Sequence, residues 1–167
     1  MRGLAAAASV GEALAEMRRS NRQAAEILQG HGATAMTDVS GFGLIGHLGE
    51  MLTASGAEAE LDLSAVPVYT GVIAKARDGI ASTLLAENLA QIPLLRSEID
   101  VATKAVLFDP QTSGGLLAGV PAEAAADCVA ALRMARHVHA TIIGQIGKVG
   151  VGAAAASILV DGKVRAS

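Results

Sequence analysis

The sequence predicts an α+β fold in which helices cover a mixed β-sheet. Its 167 residues are enough for one domain with a substantial core, and 51% of them are hydrophobic. Stretches with apolar residues at every third or fourth position are mixed with short segments typical of strands. The elements follow the order α-β-α-β-α-loop-β-β-α-β-β, which lacks the strict β-α-β repeat of a wound parallel sheet.

Five elements are predicted in the first half of the chain. Apolar residues spaced by three and four indicate a helix over residues 10–29. A short apolar segment, residues 33–39, is predicted as a strand, and a second helix follows over residues 41–54. Residues 57–63 alternate between apolar and acidic side chains, which is typical of a half-exposed strand. A short helix is expected within residues 68–77.

The second half begins with a weakly patterned stretch. Residues 80–98 are predicted as a loop with a helical turn at 84–90, and residues 105–108 and 115–120 as strand pieces. Pro121 suits the first position of a helix, which is expected to run to about Ala135.

Two further β elements are predicted in the last part of the chain. Residues 137–146 alternate as a strand would, which places His137 and His139 on one face. Residues 157–160 and 163–165 are predicted to form a hairpin around the two-residue turn Asp161-Gly162.

Charge and composition exclude several function classes. The net charge is −3, no basic block is present, and aromatic residues make up 2% of the chain, so nucleic-acid binding is not expected. No apolar run approaches the roughly 20 residues that cross a bilayer, and no secretory leader is evident. A single cysteine, Cys128, allows no internal disulfide, which is typical of a cytoplasmic protein.

The first motif, at residues 37–48, reads TDVSGFGLIGHL. It places Asp38 at the end of an apolar strand, before a glycine-rich turn and a helix, which is a suitable layout for holding a metal ion or a phosphate group. Gly41 and Gly43 would let a ligand approach backbone N–H groups. The alternative is that Asp38 is a turn or N-cap residue for the helix.

The second motif, at residues 109–117, reads DPQTSGGLL. Asp109, Thr112, Ser113, Gly114 and Gly115 could form a nest that holds an anion. The alternatives are an ordinary Asp-Pro turn and a glycine pair that lets a strand pass tightly under a helix.

Other polar residues are weaker candidates. His47 is expected to be a partly buried structural residue, and Cys128 a packed thiol. The remaining histidines lack metal-ligand spacing, and no serine or cysteine triad, Walker-type loop or catalytic lysine is evident in the sequence. Three residues of the central loop could contact a ligand: Ser82, Thr83 and Asn88.

The two motifs closely resemble the signatures of the selenophosphate synthetase (selenide, water dikinase) family. The first match covers residues 35–48 together with Glu50 and Met51, and the second covers residues 108–117. The series Met17, Asn21, Ala24 also fits, so the resemblance extends over essentially the whole chain.

The resemblance implies that residues 1–167 are a single domain equivalent to the family's C-terminal half. This α+β domain is shared with aminoimidazole ribonucleotide synthetase and is partly ferredoxin-like. The family's N-terminal domain carries a reactive Cys or selenocysteine, a lysine, and acids for ATP and metal. That domain is implied to be absent from this chain and to be its partner.

In the family, the two domains close over a cleft that holds ATP and Mg²⁺ and makes selenophosphate, AMP and phosphate from ATP, selenide and water. The family's Mg²⁺-ligating aspartate corresponds to Asp38, and this chain alone is expected to be inactive. The cofactor-binding residues that the resemblance implies are Thr37, Gly41, Gly43, Asp109, Thr112, Ser113, Gly114 and Gly115. The oligomeric state stays open, as does whether the chain is a fragment or a natural short protein.

Two alternatives remain at this stage. One is a domain of another ATP-dependent enzyme of the same superfamily, such as the hydrogenase-maturation or thiamine-phosphate kinase branches. The other is a non-catalytic binding or assembly module that kept the fold.

Overall fold

A computed structural model of the chain describes residues 7–90, 95–148 and 157–164. Within these ranges the chain forms seven helices and five strands. The helices are α1 (Ala7–Met17), α2 (Arg22–Gly30), α3 (Gly43–Ser55), α4 (Val72–Arg77), α5 (Leu85–Ala90), α6 (Val101–Leu107) and α7 (Ala122–Met134). The strands are β1 (Ala35–Asp38), β2 (Ala57–Asp62), β3 (Leu116–Gly119), β4 (Gly144–Lys148) and β5 (Ile158–Asp161). The predicted α+β class is confirmed.

The described strands fall into two sheets. β1 and β3 form an antiparallel ribbon in which Asp38 lies opposite Leu116. β2 is the central strand of the second sheet, antiparallel to β4 and parallel to β5. The second sheet is therefore mixed, as the sequence predicts, but the ribbon that carries Asp38 is separate from it.

The main core packs α3 and α6 against the inner face of β2. Strand β2 shows the predicted alternation, with Ala59 and Leu61 buried and Glu60 and Asp62 exposed. Phe108, at the end of α6, is among the largest fully buried side chains. The first-half strands and helices predicted around this core are confirmed within a few residues.

A second cluster covers the β1–β3 ribbon. Helices α2 and α7 bury Leu28 and Cys128 there, against partly buried apolar residues of both strands. Cys128 is a buried free thiol, as expected, and burial raises its pKa. Each sheet therefore has its own layer of helices.

The predicted helix over residues 10–29 is two helices in the structure. The chain leaves the helical path between Met17 and Arg22, at the polar run Arg18-Arg19-Ser20-Asn21. The prediction of one continuous helix was wrong because Asn21 faces a loop and donates its amide to the carbonyl of Gly114, rather than continuing an apolar stripe.

The strand predicted at residues 105–108 was also wrong, because this segment belongs to α6. Asp100 is the N-cap: its Oδ1 accepts hydrogen bonds from the backbone N–H groups of Ala102 and Thr103, at 3.0 and 3.1 Å. Its other oxygen, Oδ2, accepts from the Thr103 hydroxyl at 2.6 Å. Local capping chemistry decided the conformation of this short apolar run.

Two C-terminal predictions were wrong in their extent or pairing. Residues 137–143 are not in a strand, so His137 and His139 do not share a strand face. β5 does not form a hairpin: it pairs in parallel with β2, and Lys163 and Val164 lie outside any strand. Arg165 lies outside the described residues. Ile158 decides this pairing, since it is fully buried opposite Ala59.

None of the helices within the described part of the chain combines the length and the apolarity that crossing a membrane requires.

Substitution of the α6 cap tests this account of the helix. Asp100→Ala is expected to lower the free energy of unfolding by about 1 kcal/mol, because two backbone N–H groups lose their acceptor. Chemical denaturation at pH 7 measures the loss. An unchanged stability would contradict the capping role.

The same cap is expected to be sensitive to acid. Hydrogen bonds from Thr103 and Ala102 hold the pKa of Asp100 below its usual value. The stabilisation is therefore complete above the unfolded-state pKa of about 3.9 and is lost as the pH falls through the lower folded-state pKa. The stability difference between the wild type and Asp100→Asn, measured from pH 7 to pH 2, should shrink on that descent. A difference that grows would contradict the sign.

Candidate functional site

The two motifs predicted from the sequence lie side by side in the fold. We call residues 38–43 and 109–115 the paired loops. The N–H of Gln111 donates to the carbonyl of Ser40, and the N–H of Val39 donates to the carbonyl of Gly115, both at 2.9 Å. These hydrogen bonds continue the β1–β3 pairing, so both loops leave the same end of the ribbon.

Close backbone contact explains two of the predicted glycines. A Cβ on Gly114 would lie 2.0 Å from the carbonyl oxygen of Val39. A Cβ on Gly43, which has a φ of +69°, would lie 2.7 Å from the carbonyl carbon of Phe108. Gly114 brings the loops together, and Gly43 lets α3 start against the end of α6.

The other two glycines face open space. A Cβ on Gly41 or on Gly115 would meet no heavy atom within 4 Å. Packing therefore does not require glycine at either position, and both residues are exposed. These are the positions at which a missing side chain leaves backbone groups open to a ligand.

A buried amide connects the paired loops to α5. The Nδ2 of Asn88 donates to the carbonyls of Gly41 and Phe108, each at 2.9 Å. Asn88 is 6% exposed. The sequence suggested only that Asn88 could contact a ligand. In the structure its amide instead bonds two backbone carbonyls, one in the first loop and one directly before the second loop.

Asn21 is a second polar anchor that sequence reasoning missed. Its Nδ2 donates to the carbonyl of Gly114 at 2.9 Å, which ties the start of α2 to the second loop. Asn21 stands among apolar residues in the spacing pattern of the predicted first helix. A polar residue at an apolar position of the helical pattern was the sequence signal that could have indicated this contact.

Three polar side chains of the first loop and α3 form a hydrogen-bonded series. The Oγ of Ser40 lies 3.1 Å from Nε2 of His47, and Nδ1 of His47 lies 3.1 Å from Oε2 of Glu50. His47 is buried, as the sequence predicts, with its ring 5.4 Å from that of Phe42. The sequence spacing showed no such series.

This series leaves the Ser40 oxygen available as an acceptor. A carboxylate can only accept, so Nδ1 of His47 donates to Glu50 when the imidazole is neutral. Nε2 then accepts from the Ser40 hydroxyl, whose lone pairs stay free for a cation or a donor.

Asp38 is an exposed carboxylate at the end of β1. Among the described residues, it has no side-chain hydrogen bond or ion pair, and no group of three potential metal-ligating acids, histidines or cysteines forms. A metal ion at Asp38 would therefore need further ligands from bound phosphate, water or another part of a larger protein.

Asp109 has a different environment. It is half-buried, and Nε2 of Gln111 donates to its Oδ2 and to its backbone carbonyl, both at 3.2 Å. Burial raises the pKa of Asp109, and the Gln111 hydrogen bond partly opposes that shift. This carboxylate organises its own loop as well as lining it.

The hydroxyl groups of the second loop are open. Thr112 and Ser113 are exposed, and Ser113 has a φ of +51°. Neither loop contains a lysine or an arginine. Phosphate would meet carboxylates, hydroxyls and open backbone groups here but no basic side chain, so the paired loops suit a phosphate group that brings a metal ion with it.

The fold and the paired loops define a class of protein: an α+β domain that presents oxygen ligands on glycine-rich loops. The chain belongs to the family described as "AIR synthase related protein, C-terminal domain", which it matches over residues 2–156.

Three similar proteins carry the name "Selenide, water dikinase". The one from Myxococcus xanthus (strain DK1622) is 40% identical over 157 residues, which is 90% of this chain and 44% of the relative. The one from Porphyromonas gingivalis (strain ATCC 33277) is 40% identical over 134 residues, 79% of this chain and 38% of the relative. The one from Escherichia coli (strain K12) is 38% identical over 136 residues, 81% of this chain and 39% of the relative. The chain thus spans less than half the length of each of these relatives.

The close contact between the loops gives a matched pair of glycine variants. Gly114→Ala is expected to lower the free energy of unfolding by about 3 kcal/mol, because its Cβ would overlap the Val39 carbonyl. Gly115→Ala, with open space at the same atom, should change it by less than about 1 kcal/mol. Thermal or chemical denaturation compares the two. Equal effects would show that the loops do not pack as described.

The buried amide gives a second test. Asn88→Ala should lower the free energy of unfolding by about 2 kcal/mol, since two carbonyls lose their donor. Glu87→Ala, an exposed neighbour on α5, should cost less than about 0.5 kcal/mol. Asn88→Asp, which removes the donor but keeps the shape, should be no better than Asn88→Ala at neutral pH. Full stability of Asn88→Asp would contradict the donor role.

Proposed function

We propose that this chain is the C-terminal domain of a selenide, water dikinase, the enzyme that makes selenophosphate, AMP and phosphate from ATP, selenide and water. The observation that carries the proposal is the similarity at about 40% identity to several proteins of that name, over most of this chain. The paired loops match it chemically, because they present oxygen ligands without a basic residue.

In this proposal, Asp38 is a Mg²⁺ ligand. Mg²⁺ is commonly held by one or two carboxylates together with substrate phosphates and water, so a single open carboxylate fits it. Bound there, the ion would neutralise phosphate charge. Asp38 is exposed and has no competing ion pair among the described residues, and the side-chain oxygen of Ser40, two residues further along the same loop, is free to accept.

The remaining candidate residues have two kinds of role in this proposal. Thr37, Gly41, Thr112, Ser113 and Gly115 offer hydroxyl or open backbone groups to the nucleotide. Gly43, Asp109 and Gly114 act mainly by shaping the loops, through the contacts described above.

The partner is the N-terminal domain of the same enzyme. The paired loops contain no cation to bind ATP, and the chain spans less than half of its relatives. We therefore propose that residues 1–167 act as one domain, inactive alone, which completes a site for ATP and selenide. The proposed setting is the cytoplasm, where ATP is available.

A chimeric enzyme tests the proposal. The part of the Myxococcus xanthus relative that this chain does not span would be fused before the chain, and ³¹P NMR would follow ATP with selenide and Mg²⁺. Selenophosphate and AMP are expected from the chimera and not from the chain alone. A folded chimera that forms no product would favour the binding-module alternative.

The role of Asp38 is tested in the same assay. Asp38→Asn should lower the rate at least about a hundredfold, because the amide has no charge to hold the ion. Asp127→Asn, an exposed acid on α7, is the control and should leave the rate unchanged. Equal rates for wild type and Asp38→Asn would remove Asp38 from the metal site.

A further inference from the structure

An open surface groove with a volume of about 550 Å³, called the cavity below, lies between the α1–α2 connection and the turn after α7. Asn21, which bonds the second paired loop, is its neighbour in the chain. Its lining includes Arg19, Arg22, Arg136 and His137, with Glu26 as its acid. The chain as a whole has a net charge of −3, so this is a local concentration of positive charge. The groove is open to solvent, and the Arg22 side chain at its edge is 85% exposed.

One arginine braces the cavity. The guanidinium of Arg19 pairs with the Glu16 carboxylate, with Nε and Oε2 3.1 Å apart, and also donates to the backbone carbonyl of Arg136. This contact joins the α1–α2 connection to the turn after α7. The walls are therefore held together before any ligand binds.

Two arginines keep unused donors. Nε of Arg22 donates to Glu26 at 3.0 Å, which leaves its two terminal nitrogens. The guanidinium of Arg136 has no hydrogen-bond or ion-pair partner within the described residues. An arginine fork binds phosphate oxygens in pairs.

Arg136 occupies a backbone position that favours glycine. Its φ is +69°, and its N–H bonds the carbonyl of Arg133, while the N–H of His137 bonds that of Leu132. This is the C-terminal helix motif whose left-handed residue is usually glycine. The backbone conformation at this position favours glycine, yet the sequence has an arginine there.

We propose that this cavity binds the phosphate group of a small phosphorylated molecule, with Arg136 and Arg22 as its ligands. The groove leaves room for a body beyond the phosphate itself, and AMP is the probe of that class. The cavity shares no residue with the paired loops, so the inference does not depend on the proposed function.

Thermal unfolding of the 167-residue chain tests the proposal. AMP, inorganic phosphate and adenosine would each be titrated in EDTA, which excludes a metal-dependent site, at matched ionic strength. AMP and phosphate should raise Tm and adenosine should not, because a ligand that binds the folded state stabilises it. If AMP binds more tightly than inorganic phosphate, the ligand of the cavity is a phosphate ester. If the two bind equally, the ligand is the free anion.

Arg136→Gly separates binding from folding. Without ligand, its Tm should equal or exceed that of the wild type, because glycine relieves the left-handed backbone. Its affinity for AMP or phosphate should fall about tenfold or more. Arg22→Gln should also weaken binding, whereas Arg77→Gln, on the exposed face of α4, should not. A wild type unaffected by both phosphates, or an unchanged affinity in Arg136→Gly, would overturn the proposal.

Discussion

The contact between the paired loops is the constraint on which the candidate site depends. Asp38 and Asp109 come from distant parts of the chain, and the backbone bonds at Ser40 and Gly115 bring their loops together. Those bonds form only if the second loop can approach the Val39 carbonyl closely, which requires the bare Cα of Gly114. The site's geometry is thus set by main-chain contact, with side-chain chemistry added at its open edge.

Buried and partly buried polar groups then hold this arrangement against the rest of the fold. Asn88 holds the first loop and the end of α6, and Asn21 holds the second loop to α2. A side-chain amide can donate hydrogen bonds to backbone carbonyls that would otherwise lack a donor, which is the role of both residues here. His47 holds the Ser40 side chain from within α3, because its Nε2 accepts from the Ser40 hydroxyl. Asp38 can therefore stay exposed while the groups that hold its loop are buried or partly buried.

Sequence patterns predicted the parts of this fold that depend on local periodicity. The alternation in β2 and the spacing in α3 predicted both elements, and the two motifs predicted both loops. The sequence did not predict which distant segments pair. The local sequence of β5 suggests a hairpin, but β5 pairs with β2 because Ile158 is buried in the core. The prediction for α6 failed for a local reason, since the cap at Asp100 outweighed the strand-like run after it. For the site, the pattern pointed to the glycines but could not separate Gly114, which packs, from Gly115, which is open.

The central position of β2 also has a consequence for folding during synthesis. Both of its neighbours, β4 and β5, are contributed by the last part of the described chain, whereas β2 itself comes from the first half. During synthesis, β2 leaves the ribosome long before either neighbour, with both of its edges unpaired and only α3 available to cover its apolar face. Such edges invite pairing with other chains, and contacts between distant segments form slowly. The nascent chain is therefore most prone to aggregation in the interval before its last strands emerge, and Glu58 and Glu60 place charge on β2 during that interval.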